Sequence, residues 1–219
     1  MTEPTRVVVL RHGETAWNAA QRIQGHIDPP LNERGLQQAE QLAQALHGEG
    51  LAHVYASDLQ RARVTAEAVA RAAGVAAVTT DVGLRERAFG RFEGLTYSEV
   101  EQRWPDEARR WRQREAGFAP GGGETLEAFF ERCVPAAAAI AARHAGDTIA
   151  IVAHGGVLDC LYRAATGLGL QAARSWQLGN ARINRLLWHG EGFVLVGWND
   201  DAHLQQPEAG PPGAEPSRN

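Results

Sequence analysis

Lysine is absent from the 219 residues, and all 22 basic side chains are arginine. Any carboxylate or phosphate the chain binds must therefore meet the planar guanidinium fork. There is no basic excess either. The formal net charge is −4, which argues against nucleic acid or an anionic membrane as a partner and requires any anion site to be a local concentration of charge. Cysteine is scarce: Cys133 and Cys160 have no CxxC spacing, and they read as free, buried thiols in a reducing cytoplasm. No apolar run is long enough to span a membrane, and the N-terminal "MTEPTRVVVL" is too short and too acidic at its start for a secretory signal. Internal repeats are lacking as well.

With 44% hydrophobic and 22% charged residues, the chain has the composition of one globular domain able to bury its own core. Residues 6 to 10 (RVVVL) and 148 to 154 (TIAIVAH) read as fully buried strands. "HVYAS" (53 to 57) and "VAAVTT" (75 to 80) read as short strands. A helix is expected from about Asn32 to His47, with Leu36, Ala39, Leu42, Ala43 and Leu46 on its apolar face. Ser57-Asp58-Leu59-Gln60 has the pattern of a capping box opening a helix that runs to about Ala72. An Ala-rich helix from about Thr125 to His144 should bend at Pro135, and another helix follows from about Gly156 to Ala165. "ARINRLLWH" and "FVLVGWN", joined through Gly190-Glu191-Gly192, form an antiparallel pair.

Residues 84 to 123 break the alternation. They are rich in Arg and Glu and hold the aromatics Phe89, Phe92, Tyr97, Trp104, Trp111 and Phe118, so they read as a partly helical excursion over the sheet, with Trp104, Trp111 and Phe118 as a small core beneath it. The tail 205–219, rich in Pro, Gly and Glu, is expected to be disordered. The fold class that follows is α/β: a three-layer α/β/α sandwich with a mostly parallel sheet, one antiparallel terminal strand, and the excursion over the C-terminal strand ends. One domain covers 1–204.

Ligands of such sheets bind at the carboxyl ends of the strands. Two buried strands here end in histidine followed by glycine: VVVL-Arg11-His12-Gly13 and IAIVA-His154-Gly155-Gly156. Arg11, beside a buried strand, needs an anionic partner. Arg61 lies in the first helical turn after "YASDL", again past a strand end, and Glu86, in "GLRERAFG", stands among three arginines, Arg85, Arg87 and the following Arg91. Taken singly, Arg61 reads as a surface arginine and Glu86 as a salt-bridged surface carboxylate.

The motifs "LRHGETAWN", "PLNERGLQQA", "ASDLQRARVTA", "LRERAFGRFEG", "PGGGET" and "VAHGGVL" occur in the order that resembles the histidine phosphatase superfamily, the phosphoglycerate-mutase-like proteins, from about residue 6 to 203. The resemblance implies His12 as nucleophile, Arg11, Arg61 and His154 as a phosphate pocket, and Glu86 as proton donor. It implies that Asn18, Gln24 and Gly25 line the ligand site, with Thr15 and Gly155 as further contacts. The chemistry agrees. Phosphoryl transfer depends on positioning and charge neutralisation, which two guanidiniums and a protonated His154 can supply without a metal. Neutral imidazole can attack phosphorus and split one displacement into two. Glu86 must donate to the leaving oxygen and then take a proton from water.

A metal held by His12, His154 and Glu86 is disfavoured, since no HExxH-type pair is present and the arginines repel a cation. No cofactor is therefore expected. His26, His47, His53, His144, His189 and His203 carry no such context. The segment between Glu86 and His154 is short and lacks the extra positive clamp that a bisphosphate-retaining mutase requires. The expected activity is a metal-independent phosphomonoesterase acting on a small phosphorylated metabolite. A cofactor-dependent phosphoglycerate mutase and a non-catalytic phospholigand-binding module are the alternatives. A protein-phosphatase role has no supporting tail motif. Arg87, Arg91 and Arg103 could meet a substrate carboxylate, although solvated side chains are the plainer reading. A homodimer stays open.

Overall fold

The structure is a computed structural model that describes residues 3–205. The expected tail lies, apart from Gln205, outside the described residues. Six strands form one sheet in the order β3-β2-β4-β1-β5-β6. These are β1 (Thr5–Arg11), β2 (Leu51–Ala56), β3 (Val78–Thr80), β4 (Thr148–Ala153), β5 (Ile183–Trp188) and β6 (Phe193–Asp200). Strands β1 to β4 are parallel, β5 runs antiparallel to β1, and β6 returns against β5 at the edge.

Helices cover both faces. The run VVVL in β1 divides by strand alternation: Val7 and Val9 join one core with Phe129, Ile140 and Leu161, while Val8 and Leu10 join another with Leu42, Val54 and Val69. The first core lies under α6 (Leu126–Ala141) and α7 (Gly155–Thr166), and the second under α2 (Glu33–Ala45) and α3 (Gln60–Ala73). A strand buried on both faces must be apolar throughout. That is why β1 and β4 are legible as such. Cys133 and Cys160 are both buried and free, and the Cys133 contact and burial push the Cys160 thiol well up, which makes it an unreactive core group.

Several local expectations need correction. Helix α2 buries Gly35, Gln38, Ala39, Leu42 and Ala43, whereas Leu36 is 49% exposed. The buried stripe is rotated toward Gly35, because Gly13 and Gly35 approach so closely that a Cβ on either would collide with backbone. Helix α3 has Leu59 as N-cap, with no side-chain cap of its own. The Gln60 N–H instead donates to Asp28, remote in sequence, so the apparent capping box is replaced by a tertiary cap. Strand β3 is shorter than expected, starting at Val78. As expected, Pro135 falls inside helix α6; the carbonyl left without its donor is that of exposed Glu131, where water can serve.

The excursion holds α4 (Tyr97–Arg103) and α5 (Pro105–Arg112) between short 3₁₀ turns. Its core comprises Ile23, Phe92, Val100 and Ala108, with Trp104 and Trp111 packed against them. Phe118 lies apart, under the Arg110 guanidinium. A four-residue helix, α1 (Ala16–Ala19), follows β1.

Candidate active site

Strands β1 and β4 are adjacent, with Arg11 opposite Ala153 in register. The next residue on each strand is therefore His12 and His154, and the His12 N–H donates to the Ala153 carbonyl at 3.0 Å. The two imidazoles lie 5.2 Å apart, tilted by 58°. Two strand ends far apart in sequence become one floor, at the base of a cleft of about 610 Å³.

His12 is 2% exposed, and its Nδ1 lies 2.7 Å from the Gly13 carbonyl. A carbonyl only accepts, so Nδ1 carries the proton and Nε2 carries the lone pair. Burial and the charges of Arg61 and Arg11 hold the His12 imidazole well below its ordinary range, so it is neutral. His154 is also buried, and both its ring nitrogens lack a protein partner. Burial, Arg61, His12 and Arg11 push it well down. A buried ring beside two guanidiniums disfavours the protonated form that the sequence reading gives His154.

Arg61 is no surface arginine. It is 1% exposed, and the loop before it wraps its guanidinium: NH2 donates to Gly25 O at 2.8 Å, and NH1 donates to Ile27 O and Asp28 Oδ1. Gly25 needs its left-handed backbone and its missing side chain, since a Cβ there would strike Glu93. Thr65 ties α3 to the β1 loop. Its Oγ1 accepts from the Gly13 N–H at 3.0 Å and donates to the Arg61 carbonyl at 2.8 Å. Arg11 donates to the Leu178 carbonyl and lies against Gly155, where a Cβ would sit 3.5 Å from Nε. The Nε atoms of both arginines are buried without a partner.

Glu86 is not taken up by its neighbouring arginines. Arg85 pairs with Asp58. Arg87 is buried and donates to the carbonyls of Glu124 and Phe118, which corrects the solvated reading; burial lowers it to about 10. The Glu86 carboxylate accepts instead from the Arg87 N–H at 2.8 Å and from the Gly156 N–H, in the first turn of α7, at 3.0 Å. The Glu86 backbone carbonyl is fixed by His26 and Arg132. Arg91 pairs with Glu107 and lies over Trp104, away from a substrate role.

Arg11, His12, Asn18, Gln24, Gly25, Arg61, Glu86 and Gly155 all border the cleft. His154 stands behind His12, at the N-cap of α7. Thr15 is not brought to the cleft wall. It is the buried N-cap of α1, reciprocally bonded with Asn18, so its role is to fix Asn18. Sequence reading missed Gly156, although it stands in the quoted HGG, as well as His26, Arg132 and Asn180. Asn180 Nδ2 donates to the His12 carbonyl at 2.9 Å. For Asp28 and Asn180 no local sequence signal exists. His203 does not return to the cleft; its Nε2 donates to the Ala181 carbonyl.

The family model that matches the chain, over residues 7–201, is that of the histidine phosphatase superfamily (branch 1). Among the similar proteins is phosphoglycerate mutase-like protein 4 of Arabidopsis thaliana, 39% identical over 91% of this chain and 87% of that protein. A metal-independent phosphoserine phosphatase of the same plant is 37% identical over 93% of this chain and 84% of its own length. Among solved structures, a mycobacterial glucosyl-3-phosphoglycerate phosphatase complexed with VO3 superposes with a TM-score of 0.80 at 32% identity, covering 90% of this chain and 99% of that one. With two strand-end histidines side by side, two arginines at the cleft, and a family match spanning nearly all of the described residues, this chain belongs to the histidine phosphatase superfamily, branch 1.

Proposed function

We propose that this protein is a phosphatase that hydrolyses small phosphomonoesters through a phosphohistidine on His12. The observation that carries this reading is the fixed tautomer of a buried, neutral His12, with the Nε2 lone pair free and two guanidiniums alongside. In this reading Arg11 and Arg61 neutralise the equatorial oxygens of the transferring group. A phosphate dianion would also reverse the local field at His154 and favour its protonated, donating form.

Glu86, protonated, gives its proton to the leaving oxygen as the bond to phosphorus breaks, and the ionised carboxylate then takes one from the water that attacks the phosphohistidine. Its anchor on the Gly156 N–H holds it over the cleft for both steps. Asn18, Gln24, Gly25 and Gly155 contact the substrate. The phosphatase names of relatives support hydrolysis over isomerisation, as does the shortness of the segment between Glu86 and His154.

The test is phosphate release from a panel of phosphomonoesters in EDTA, run beside isomerisation of 3-phosphoglycerate with added bisphosphoglycerate. Release without isomerisation is expected. Efficient isomerisation would make the protein a mutase, and binding without either reaction would make it a phospholigand-binding module. A requirement for added Mg²⁺ would overturn the metal-independent mechanism.

A further inference from the structure

Beyond the phosphate pocket, α7 carries a second acidic group to the cleft. Asp159 follows Gly156 by three residues and so lies on the same helix face, about 4.5 Å further along the axis. Both residues border the cleft, and so does Arg114. The Asp159 side chain is 6% exposed. Its Oδ2 accepts from Arg114 NH2 at 2.6 Å and from Arg163 Nε at 3.1 Å, while its Oδ1 is buried and has no partner. A guanidinium fork frequently spans both oxygens of its carboxylate. Here both guanidiniums crowd onto one.

Each of the two guanidiniums is also held by backbone. Arg114 Nε donates to Leu170 O at 2.8 Å, and Arg163 donates to Gly169 O at 2.6 Å and Ala172 O at 2.9 Å. Asp159 thus carries an unpaired acceptor on a residue that borders the cleft, about one helical turn beyond the anchor of Glu86. Buried polar atoms without partners are costly and uncommon in folded proteins. Those of Arg11, Arg61 and His154 are accounted for by a bound phosphate. That of Asp159 is not.

We propose that Asp159 is a specificity-determining residue whose Oδ1 accepts a hydrogen bond from a hydroxyl on the leaving alcohol, so that the preferred substrates are phosphorylated polyols. This rests on the phosphomonoesterase reading of the cleft. The local charge decides between a hydroxyl and an ammonium as the donor. One carboxylate shared by two guanidiniums leaves a net positive group, and Arg174 borders the same cleft. An ammonium would be repelled there; a neutral hydroxyl would not.

The experiment measures kcat/KM of the wild-type protein on p-nitrophenyl phosphate, glycerol 1-phosphate, propyl phosphate and 3-aminopropyl phosphate. Glycerol 1-phosphate is expected to exceed propyl phosphate by about tenfold to a hundredfold, as for a lost hydrogen bond to a charged group, with 3-aminopropyl phosphate the poorest of the three alkyl esters. Turnover of p-nitrophenyl phosphate with glycerol and propyl esters within threefold of each other, or with the amino ester best, overturns the proposal and leaves the phosphatase reading standing. No release from any of the four overturns both.

Asp159→Asn supplies the second measurement. The amide oxygen stays with the guanidiniums, so the NH2 takes the place of Oδ1 and the charged acceptor is lost. The glycerol-to-propyl ratio should then fall at least fivefold. A merely structural Asp159 would lower both rates together and leave the ratio unchanged.

Discussion

The floor of the cleft and its cover are both rich in arginine, yet the arginines are partnered differently. On the floor, Arg61 is wrapped by the carbonyls of Gly25 and Ile27 with a single carboxylate, Asp28, and Arg11 is held by the carbonyl of Leu178. In the cover, Arg87 is buried and held by carbonyls as on the floor, but Arg91, Arg109, Arg110 and Arg112 pair with Glu107, Asp106, Glu115 and Glu101 at the surface. A carbonyl fixes a guanidinium without cancelling its charge, whereas a carboxylate fixes and neutralises it. The first arrangement leaves positive charge available to an anion. The second yields a solvated surface whose pairs contribute little to stability. Where a guanidinium sits matters less than what kind of oxygen holds it.

That contrast can be broken at both ends. The largest effect is expected from His12→Ala, which removes the phosphate acceptor and should lower phosphate release by about 10⁴-fold or more without loss of the folded circular-dichroism spectrum. Arg61→Ala removes one of the two guanidiniums from the floor and should cost about 10³-fold in kcat. A loss below tenfold would show that the floor arginines do not neutralise the transferring group.

Gly156→Ala sharpens the comparison from the side of the acid. A Cβ there would collide with the Glu86 carboxylate and crowd Phe129. Turnover of alkyl phosphates should fall by about 10²-fold, and turnover of p-nitrophenyl phosphate, whose leaving group needs little protonation, should fall much less. Glu86→Gln should show the same asymmetry, and equal loss on both substrates would count against Glu86 as the acid.

The pH dependence follows from the buried histidines. His12 and His154 are held neutral in the folded state below the value of about 6.5 they have when unfolded. As pH falls through about 6.5 the unfolded chain gains protons that the folded chain refuses, so stability is lost on the acid side. The slope is at most about 1.4 kcal/mol per pH unit for each histidine. Thermal unfolding midpoints should therefore drop below pH 6.5, while kcat/KM keeps its unprotonated nucleophile to lower pH than a free imidazole would. A flat midpoint between pH 7 and 5 would contradict the neutral assignment. The smallest effect belongs to the cover: Arg109→Ala, which breaks an exposed pair with Asp106, should leave kcat/KM within about twofold.

Where the sequence was legible, a periodicity or a chemical oddity made it so. The doubly buried runs of β1 and β4, each closing on His-Gly, announce a parallel sheet and a reactive rim together. The apolar face of α2 misled at Leu36 because the Gly13–Gly35 approach, a tertiary contact, rotates the helix. The Ser57 motif misled because Asp28, from a loop remote in sequence, supplies the cap. Glu86 read as one acid among arginines, and only the packed structure shows that those arginines are already engaged and that its oxygens go to backbone N–H groups.

By itself, then, the sequence determined the α/β alternation, the family motifs and the identity of five charged or imidazole side chains at strand and helix ends, because strand burial and residue type are local properties. The partners of those side chains were decided by tertiary structure alone. Register put His12 beside His154, loop closure put carbonyls around Arg61, and α7 placed Gly156 and Asp159 on one wall. A proton's position, a charge left uncancelled and an acceptor left unpaired all depend on which atoms meet across the fold.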